Sequence, residues 1–220
     1  MNKTITSMIA ALGVATAANA QELSITSTVG YESVYVFRGA ELADDIFHGS
    51  VDIAFGDFYT GIWTAQPITG GQDNEIDFYA GYGFAASDLV SLDFGGTVYY
   101  YPEAGAGADE TTFEAYIGAA FDVVLSPAVY LYYDVDLEVF TLEGSGGYSV
   151  EISDSTSFDL GAYLGYIEPD EGDGQYYLGA TADVSYSFTE NASGSIGIRV
   201  SDLEDGDSEF YWGASFSAGF

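Results

Sequence analysis

Residues 209–220 alternate strictly: Phe210, Trp212, Ala214, Phe216, Ala218 and Phe220 at even positions, Glu209, Tyr211, Gly213, Ser215, Ser217 and Gly219 at odd ones. Successive side chains of a strand point to opposite faces, so this is a strand with one apolar and one polar wall. As the open edge of a soluble sandwich, a strand this long and this aromatic would template aggregation. A chain that contains it must close that edge and give the aromatic wall an apolar partner.

The rest of the chain restricts which partner that is. Lys3, the apolar run Met8 to Ala18 and the small-residue triplet Ala18-Asn19-Ala20 read as a secretory signal peptide over residues 1–20, cleaved near Ala20. The domain that remains is 21–220, and no later stretch approaches the roughly 20 unbroken apolar residues of a spanning helix. With no cysteine, a disulfide framework and thiol chemistry are excluded. The chain carries 35 Asp and Glu against 3 Lys and Arg, a formal net charge of −32, which excludes nucleic acid as an electrostatic partner. Such acidity often marks disorder. The 48% hydrophobic and 16% aromatic content argues for a folded chain that must house both kinds of residue.

Strand signals recur at regular spacing with turn residues between them. They predict twelve strands at about 23–38, 47–55, 58–66, 75–84, 89–101, 111–121, 128–141, 148–153, 157–167, 175–188, 194–202 and 209–220. The connections at 56–57, 85–88, 122–127, 154–156 and 189–193 are short. Those around 39–46, 67–74, 102–110, 142–147, 168–174 and 203–208 are longer on average and rich in Gly, Asp and Glu. An even strand count with one side of short turns and one of longer loops predicts an all-β fold, a transmembrane antiparallel up-and-down β-barrel of twelve strands.

Setting the apolar parity of every strand outward sorts the aromatics. Phe55, Phe58, Phe84, Phe121, Phe158, Phe188 and Phe220 gather at one rim; Tyr35, Tyr100, Tyr166, Tyr176, Phe210 and Trp212 face outward toward the other. Two such girdles are what the two interfaces of a bilayer select. The same parity turns the carboxylates inward: Glu32, Asp52, Asp77, Asp93, Glu114, Asp134, Asp136, Glu138, Glu151, Asp159 and Asp183. Arg38, His48, Arg199, Trp63, Tyr211 and the other tyrosines of that parity join them as lining of a lumen.

Three stretches carry a family resemblance: Tyr35-Val36-Phe37-Arg38-Gly39, Phe58-Tyr59-Thr60-Gly61-Ile62-Trp63 and Glu75-Ile76-Asp77-Phe78-Tyr79-Ala80-Gly81-Tyr82. They resemble the TorF family of porins, sharply over residues 30–83 and in layout over the whole domain. After Arg38-Gly39 that family usually shows a polar stretch with a Pro and Gln-Gly-Gly, whereas this chain continues Glu41-Leu42-Ala43-Asp44-Asp45. The resemblance implies a barrel in the bacterial outer membrane and a pore. The last strand also resembles the closing strand of outer-membrane barrels, in which the terminal aromatic is read by the barrel-assembly machinery, a role that falls here to Phe220.

These readings converge on a non-enzymatic channel for small solutes, cation-preferring through its acidic lining, seated among outer-membrane lipid and lipopolysaccharide. The alternative is a closed structural or surface-interaction barrel, its lumen filled by Tyr, Trp and carboxylate–Arg bonds. His48 beside Asp44 and Asp45 lacks a serine nucleophile at any recognisable spacing, so no catalytic residue is assigned. No cofactor is implied. A divalent cation such as Ca²⁺ is the one bound ion the pattern suggests, because pairing across 142–147 places Glu138 opposite Glu151, and pairing across 122–127 brings Glu114 near Asp134 or Asp136 with no Lys or Arg nearby. In-phase pairing of Phe188 with Gly194 sets Asp183 opposite Arg199, with Tyr211 level on the next strand and Glu32 one further. Deleting Phe220 is expected to lower the heat-resistant, membrane-inserted fraction several-fold. Unchanged insertion of the deletion variant in cells would contradict the assembly role.

Overall fold

The computed structural model describes residues 23–105 and 110–220; the signal peptide expected over 1–20 lies outside the described residues. The strands are β1 (Leu23–Glu32), β2 (Tyr35–Phe37), β3 (Ala40–Ala43), β4 (Ile46–Phe55), β5 (Phe58–Pro67), β6 (Glu75–Ser87) and β7 (Val90–Tyr100). There follow β8 (Thr111–Phe121), β9 (Ala128–Asp134), β10 (Val139–Ser153), β11 (Thr156–Glu168), β12 (Gln175–Thr189), β13 (Ala192–Leu203) and β14 (Glu209–Gly219). Twelve of them form one closed barrel in which each strand pairs antiparallel with its neighbours in the chain, and β2 and β3 form a separate hairpin. Closure comes from β1, which pairs with β4 on one side and with β14 on the other, through Thr26 opposite Gly219 to Glu32 opposite Gly213. Beyond the end of β14, the Phe220 N–H donates to the Ile25 carbonyl at 2.9 Å. Closing the ring removes both sheet edges, the only way strands can satisfy their backbone where no water is available.

The two walls separate as the parity demands. Val29, Ile117, Leu164, Leu178 and Ile196 are each more than half exposed on the outer face. An apolar surface this continuous is what lipid covers and water does not. Phe55, Phe58, Phe121, Phe188 and Phe220 are exposed at the rim that holds Leu23 and Phe220, the near rim; Phe84 and Phe158 are half-buried there. At the far rim Tyr176, Phe210 and Trp212 are exposed, and the Tyr166 and Tyr176 rings meet at 4.7 Å.

Inside, tyrosine rings lie on glycines. Tyr59 is the cross-strand partner of Gly81, Tyr79 of Gly61, Tyr116 of Gly95 and Tyr130 of Gly118. The missing Cβ leaves a flat floor on which the ring of the paired residue folds along the wall, so bulky side chains fit an interior of this diameter. At Gly95 the fit is tight: a Cβ would clash with the Ala80 carbonyl oxygen and the Tyr116 hydroxyl.

The structure corrects the expected strands in two places. The first strand ends at Glu32, not at 38, and Tyr35 to Ala43 turn back as the β2–β3 hairpin. Tyr35 therefore leaves the outer girdle. The second correction is the link between β9 and β10, which is 135–138 and not 142–147. The Asp134 Oδ1 accepts from the Asp136 and Leu137 N–H groups, and Glu138 sits at φ 55, so a carboxylate cap and a left-handed residue make the turn. Alternation running through Asp134-Val135-Asp136-Leu137-Glu138-Val139 hides it. The run Gly144-Ser145-Gly146-Gly147, read as a loop, is strand: Gly144 pairs with Val129 and Leu164, and the Gly147 N–H donates to the Leu125 carbonyl at 2.8 Å.

Gly95→Ala is expected to destabilise the folded barrel by about 1–3 kcal/mol through overpacking. Gly105→Ala, where a Cβ meets nothing within 4 Å, is expected to be neutral. Urea unfolding in lipid vesicles measures both.

Candidate functional site: the barrel lumen

Three groups of side chains fill the lumen. Toward the near rim, Asp93 is 1% exposed and accepts hydrogen bonds from the Tyr59 hydroxyl at 2.9 Å and the Tyr130 hydroxyl at 3.2 Å; the Tyr116 hydroxyl bonds that of Tyr59. Asp52 is held by Ser50 at 2.8 Å and by the Tyr79 hydroxyl, and Asp159 by Ser149 and Ser157. Each carboxylate is answered by serine hydroxyls from its own or the adjacent strand, or by tyrosine hydroxyls that reach across from the next strand but one. That is how a buried acid is kept without a cation for each.

The second group bridges the closure seam. Arg199 on β13, 7% exposed, reaches Asp183 on β12 at 3.1 Å and Glu32 on β1 at 3.3 Å. Glu32 lies over Gly213 of the intervening β14, and Tyr211 pairs with Arg199. The belt is the one expected from the sequence, with a corrected register. An irregularity between Ser187 and Thr189 pairs Tyr186, not Phe188, with Gly194, so Asp183 faces Gly197 and Arg199 faces Thr181. The long guanidinium spans the diagonal. His48 packs over Gly30 and stacks on Trp63 with centroids 6.2 Å apart. Asp45 instead accepts from Tyr31 and Thr69, so His48 and Asp45 are engaged with different partners.

The third group is built by the β2–β3 hairpin, which lies across the far mouth. Tyr35 packs tilted against Trp63 with centroids 5.6 Å apart and donates to Glu75 at 2.8 Å; Phe37 meets Tyr99 at 6.0 Å. A Cβ on Gly39 would meet Tyr177, Leu203 and the Asp202 carbonyl, which brings the turn against β12 and β13. Ala43 and Ile46 seat the base of the hairpin against Ala65, all three at most 3% exposed. From the tip, Arg38 Nη1 and Nη2 donate to Glu114 Oε2 and Oε1 at 2.6 and 2.8 Å. The guanidinium carbon also lies 4.6 Å from the Tyr132 ring centre.

Two of the expected lining residues are displaced. Asp136 and Glu138 belong to the β9–β10 turn, where Asp136 accepts from the Phe113 N–H. The expected pair of Glu138 and Glu151 therefore does not form, and Glu151 has Ser157 as its cross-strand partner at the near rim. Glu114 and Asp134 are cross-strand neighbours, but the cation beside Glu114 is Arg38, brought there by the hairpin. Among the described residues no group of three or more His, Asp or Glu is arranged to hold a metal. Two lumen acids escaped the sequence reading. Glu75, 4% exposed, shares the parity of Asp77 and takes bonds from Tyr35 and Tyr101; Glu143, bonded by Tyr177 at 2.8 Å, sat inside the presumed 142–147 loop.

A twelve-stranded closed antiparallel barrel with an apolar outer wall and a polar lumen is the fold of outer-membrane porins. The structure of the KdgM porin superposes with a TM-score of 0.61 at 15% identity, covering 90% of this chain and 99% of that one. An outer membrane channel from Pseudomonas putida F1 gives 0.57 at 12% identity over 94% and 98%. The NanC porin gives 0.56 at 12% identity over 89% and 98%. No curated protein matches the chain. Residues 15–141 match the Gcw_chp family, described as a bacterial protein of unknown function, and the chain belongs to that family.

Replacing Arg199 leaves Glu32 and Asp183 without their shared cation. Arg199→Met is expected to cost about 3 kcal/mol in urea unfolding, because breaking a buried pair strands the remaining charges. The triple change that also makes Glu32→Gln and Asp183→Asn is expected to recover most of that loss.

Proposed function

We propose that the protein is a narrow outer-membrane channel for passive diffusion of small solutes, with a preference for cations. The observation that carries this reading is the charge of the lumen. Carboxylates stand on nearly every strand of the inner wall, including Glu32, Asp52, Glu75, Asp93, Glu114, Glu143 and Asp159, and the basic residues facing them are Arg38, Arg199 and the single His48. A low-dielectric wall focuses that field, concentrating cations and repelling anions. A KdgM porin structure is described as a complex with disordered oligogalacturonate. An acidic polymer of that kind is a poor match for this lumen, so the shared fold serves a different solute here.

The resemblance of residues 30–83 to the TorF porins supports the same reading. In it the chain is exported and cleaved near Ala20. The assembly machinery inserts the barrel through the Phe220 strand, and the far rim faces the lipopolysaccharide leaflet. The acidic far-rim loops, above all Glu168 to Asp173 and Asp202 to Glu209, then form a solvated, charge-rich surface at that leaflet. The hairpin across the far mouth favours a second reading, a closed structural barrel. Conductance separates the two: a channel gives discrete steps in a planar bilayer, a closed barrel none. In a KCl gradient, Arg199→Ala is expected to shift the reversal potential toward greater cation selectivity and Asp183→Asn away from it. No shift in either variant of a conducting barrel would remove these residues from the ion path.

A further inference from the structure

The tip of the β2–β3 hairpin is an unusual place for an arginine. Arg38 and Gly39 lie at φ 49 and 86, between the paired residues Phe37 and Ala40. Two consecutive positive φ values are the pattern of a two-residue type I′ turn, whose preferred sequence is Asn-Gly. A side chain of four rotatable bonds gains nothing from a left-handed backbone. The reason for arginine lies in what receives its guanidinium. The Glu114 carboxylate takes both terminal nitrogens and is held in place by the Tyr99 hydroxyl at 3.1 Å. The Tyr132 ring covers one face, and Glu143, fixed by Tyr177, lies within electrostatic reach. Carboxylate edge-on and aromatic face-on is the coordination a guanidinium prefers over an ammonium.

We infer that this pocket is a binding site for small guanidinium-bearing cations, and that Arg38 is its built-in occupant. Glu114, Tyr99 and Tyr132 belong to the barrel wall at β7, β8 and β9, so the receptor stays when the hairpin leaves. Arg38 arrives on a hairpin outside the ladder of the wall and can be displaced without opening the barrel. A solute guanidinium entering from the far rim would then compete with Arg38 for the same oxygens, and its binding would move the hairpin off the mouth. The inference rests on the reading of the lumen as a solute path, so binding is measured apart from conduction.

The test is titration calorimetry of methylguanidinium into the detergent-folded barrel, comparing the wild type, R38N, and R38N combined with E114Q. R38N creates the preferred Asn-Gly turn while vacating the pocket; Arg38→Gly gives the same vacancy should Asn disturb folding. Because a resident occupant lowers apparent affinity by the fraction of time it fills the site, R38N is expected to bind at least about tenfold more tightly than the wild type. Adding E114Q is expected to abolish that gain, and methylammonium is expected to bind R38N more weakly than methylguanidinium does. Y132L, which removes the ring face and leaves the carboxylate, is a second way to weaken the site if E114Q does not fold. Binding by R38N no tighter than wild type, or indifferent to both E114Q and Y132L, would overturn the inference. In planar bilayers, methylguanidinium is expected to slow K⁺ current through R38N. Binding without any current would keep the site and overturn the channel reading; current without binding would do the reverse.

Discussion

Every feature of this protein follows from one requirement: inside a bilayer a strand has no water to hydrogen-bond its backbone. The sheet must therefore close, and β1 meets β14 through an unbroken ladder from Thr26 to Glu32. Once closed, the period of two allows each strand only two environments. Side chains of one parity meet lipid, and those of the other meet the interior. Acidity and hydrophobicity, which compete in a soluble chain, become compatible because parity gives them different walls along the span of the strands, and outward carboxylates such as Glu168 and Asp202 stand only at the far-rim ends.

The interior then has a problem of its own. Acids taken out of bulk water need partners, and the chain supplies few cations. Tyrosine solves this, since its ring fills volume while its hydroxyl donates to Asp52, Asp93, Glu114 or Glu143. The ring needs space beside it, which explains the recurrence of glycine as its cross-strand partner. The two arginines sit where tyrosine cannot serve. Arg199 holds two carboxylates across the seam, and Arg38 ties a hairpin to the opposite wall. The result is a negatively charged wall with one segment, the hairpin, that lies outside its backbone ladder.

What the sequence disclosed divides along the same line. Strands such as β8, pinned by alternation and a connection at both ends, or β14, pinned by alternation and the loop before it, were legible to within a residue or two. So was the belt of Glu32, Arg199 and Asp183, because barrel neighbours are chain neighbours and parity fixes their face. The two-residue slip of β12 on β13 was hidden, since an irregularity in a hairpin leaves no mark on the alternation. The β9–β10 turn was hidden for a related reason: Asp134 to Val139 keep the strand alternation through a turn made by a side-chain cap, while the glycines of β10 mimic a loop. The inward hairpin was the least legible element. Tyr35 to Arg38 alternate like the strand before them, and only the tertiary contacts with Glu75, Glu114 and Tyr177 turn them back. With it, the partner of Glu114 was missed, so a site read as seeking a metal is answered by Arg38.

Strand parity sorts this chain into an apolar lipid wall and a polar, acidic lumen. Because the chain has no cysteine, single cysteines can be placed at successive positions 180–185 of β12 in barrels reconstituted in vesicles. Reaction with a small charged maleimide or methanethiosulfonate reagent then reports contact with water. The account predicts labelling that alternates with period two, with positions 181, 183 and 185 reacting and 180, 182 and 184 protected, and with cationic reagents reacting faster than anionic ones at the labelled sites. Labelling of the even positions instead, or at the same rate at all six, would contradict it.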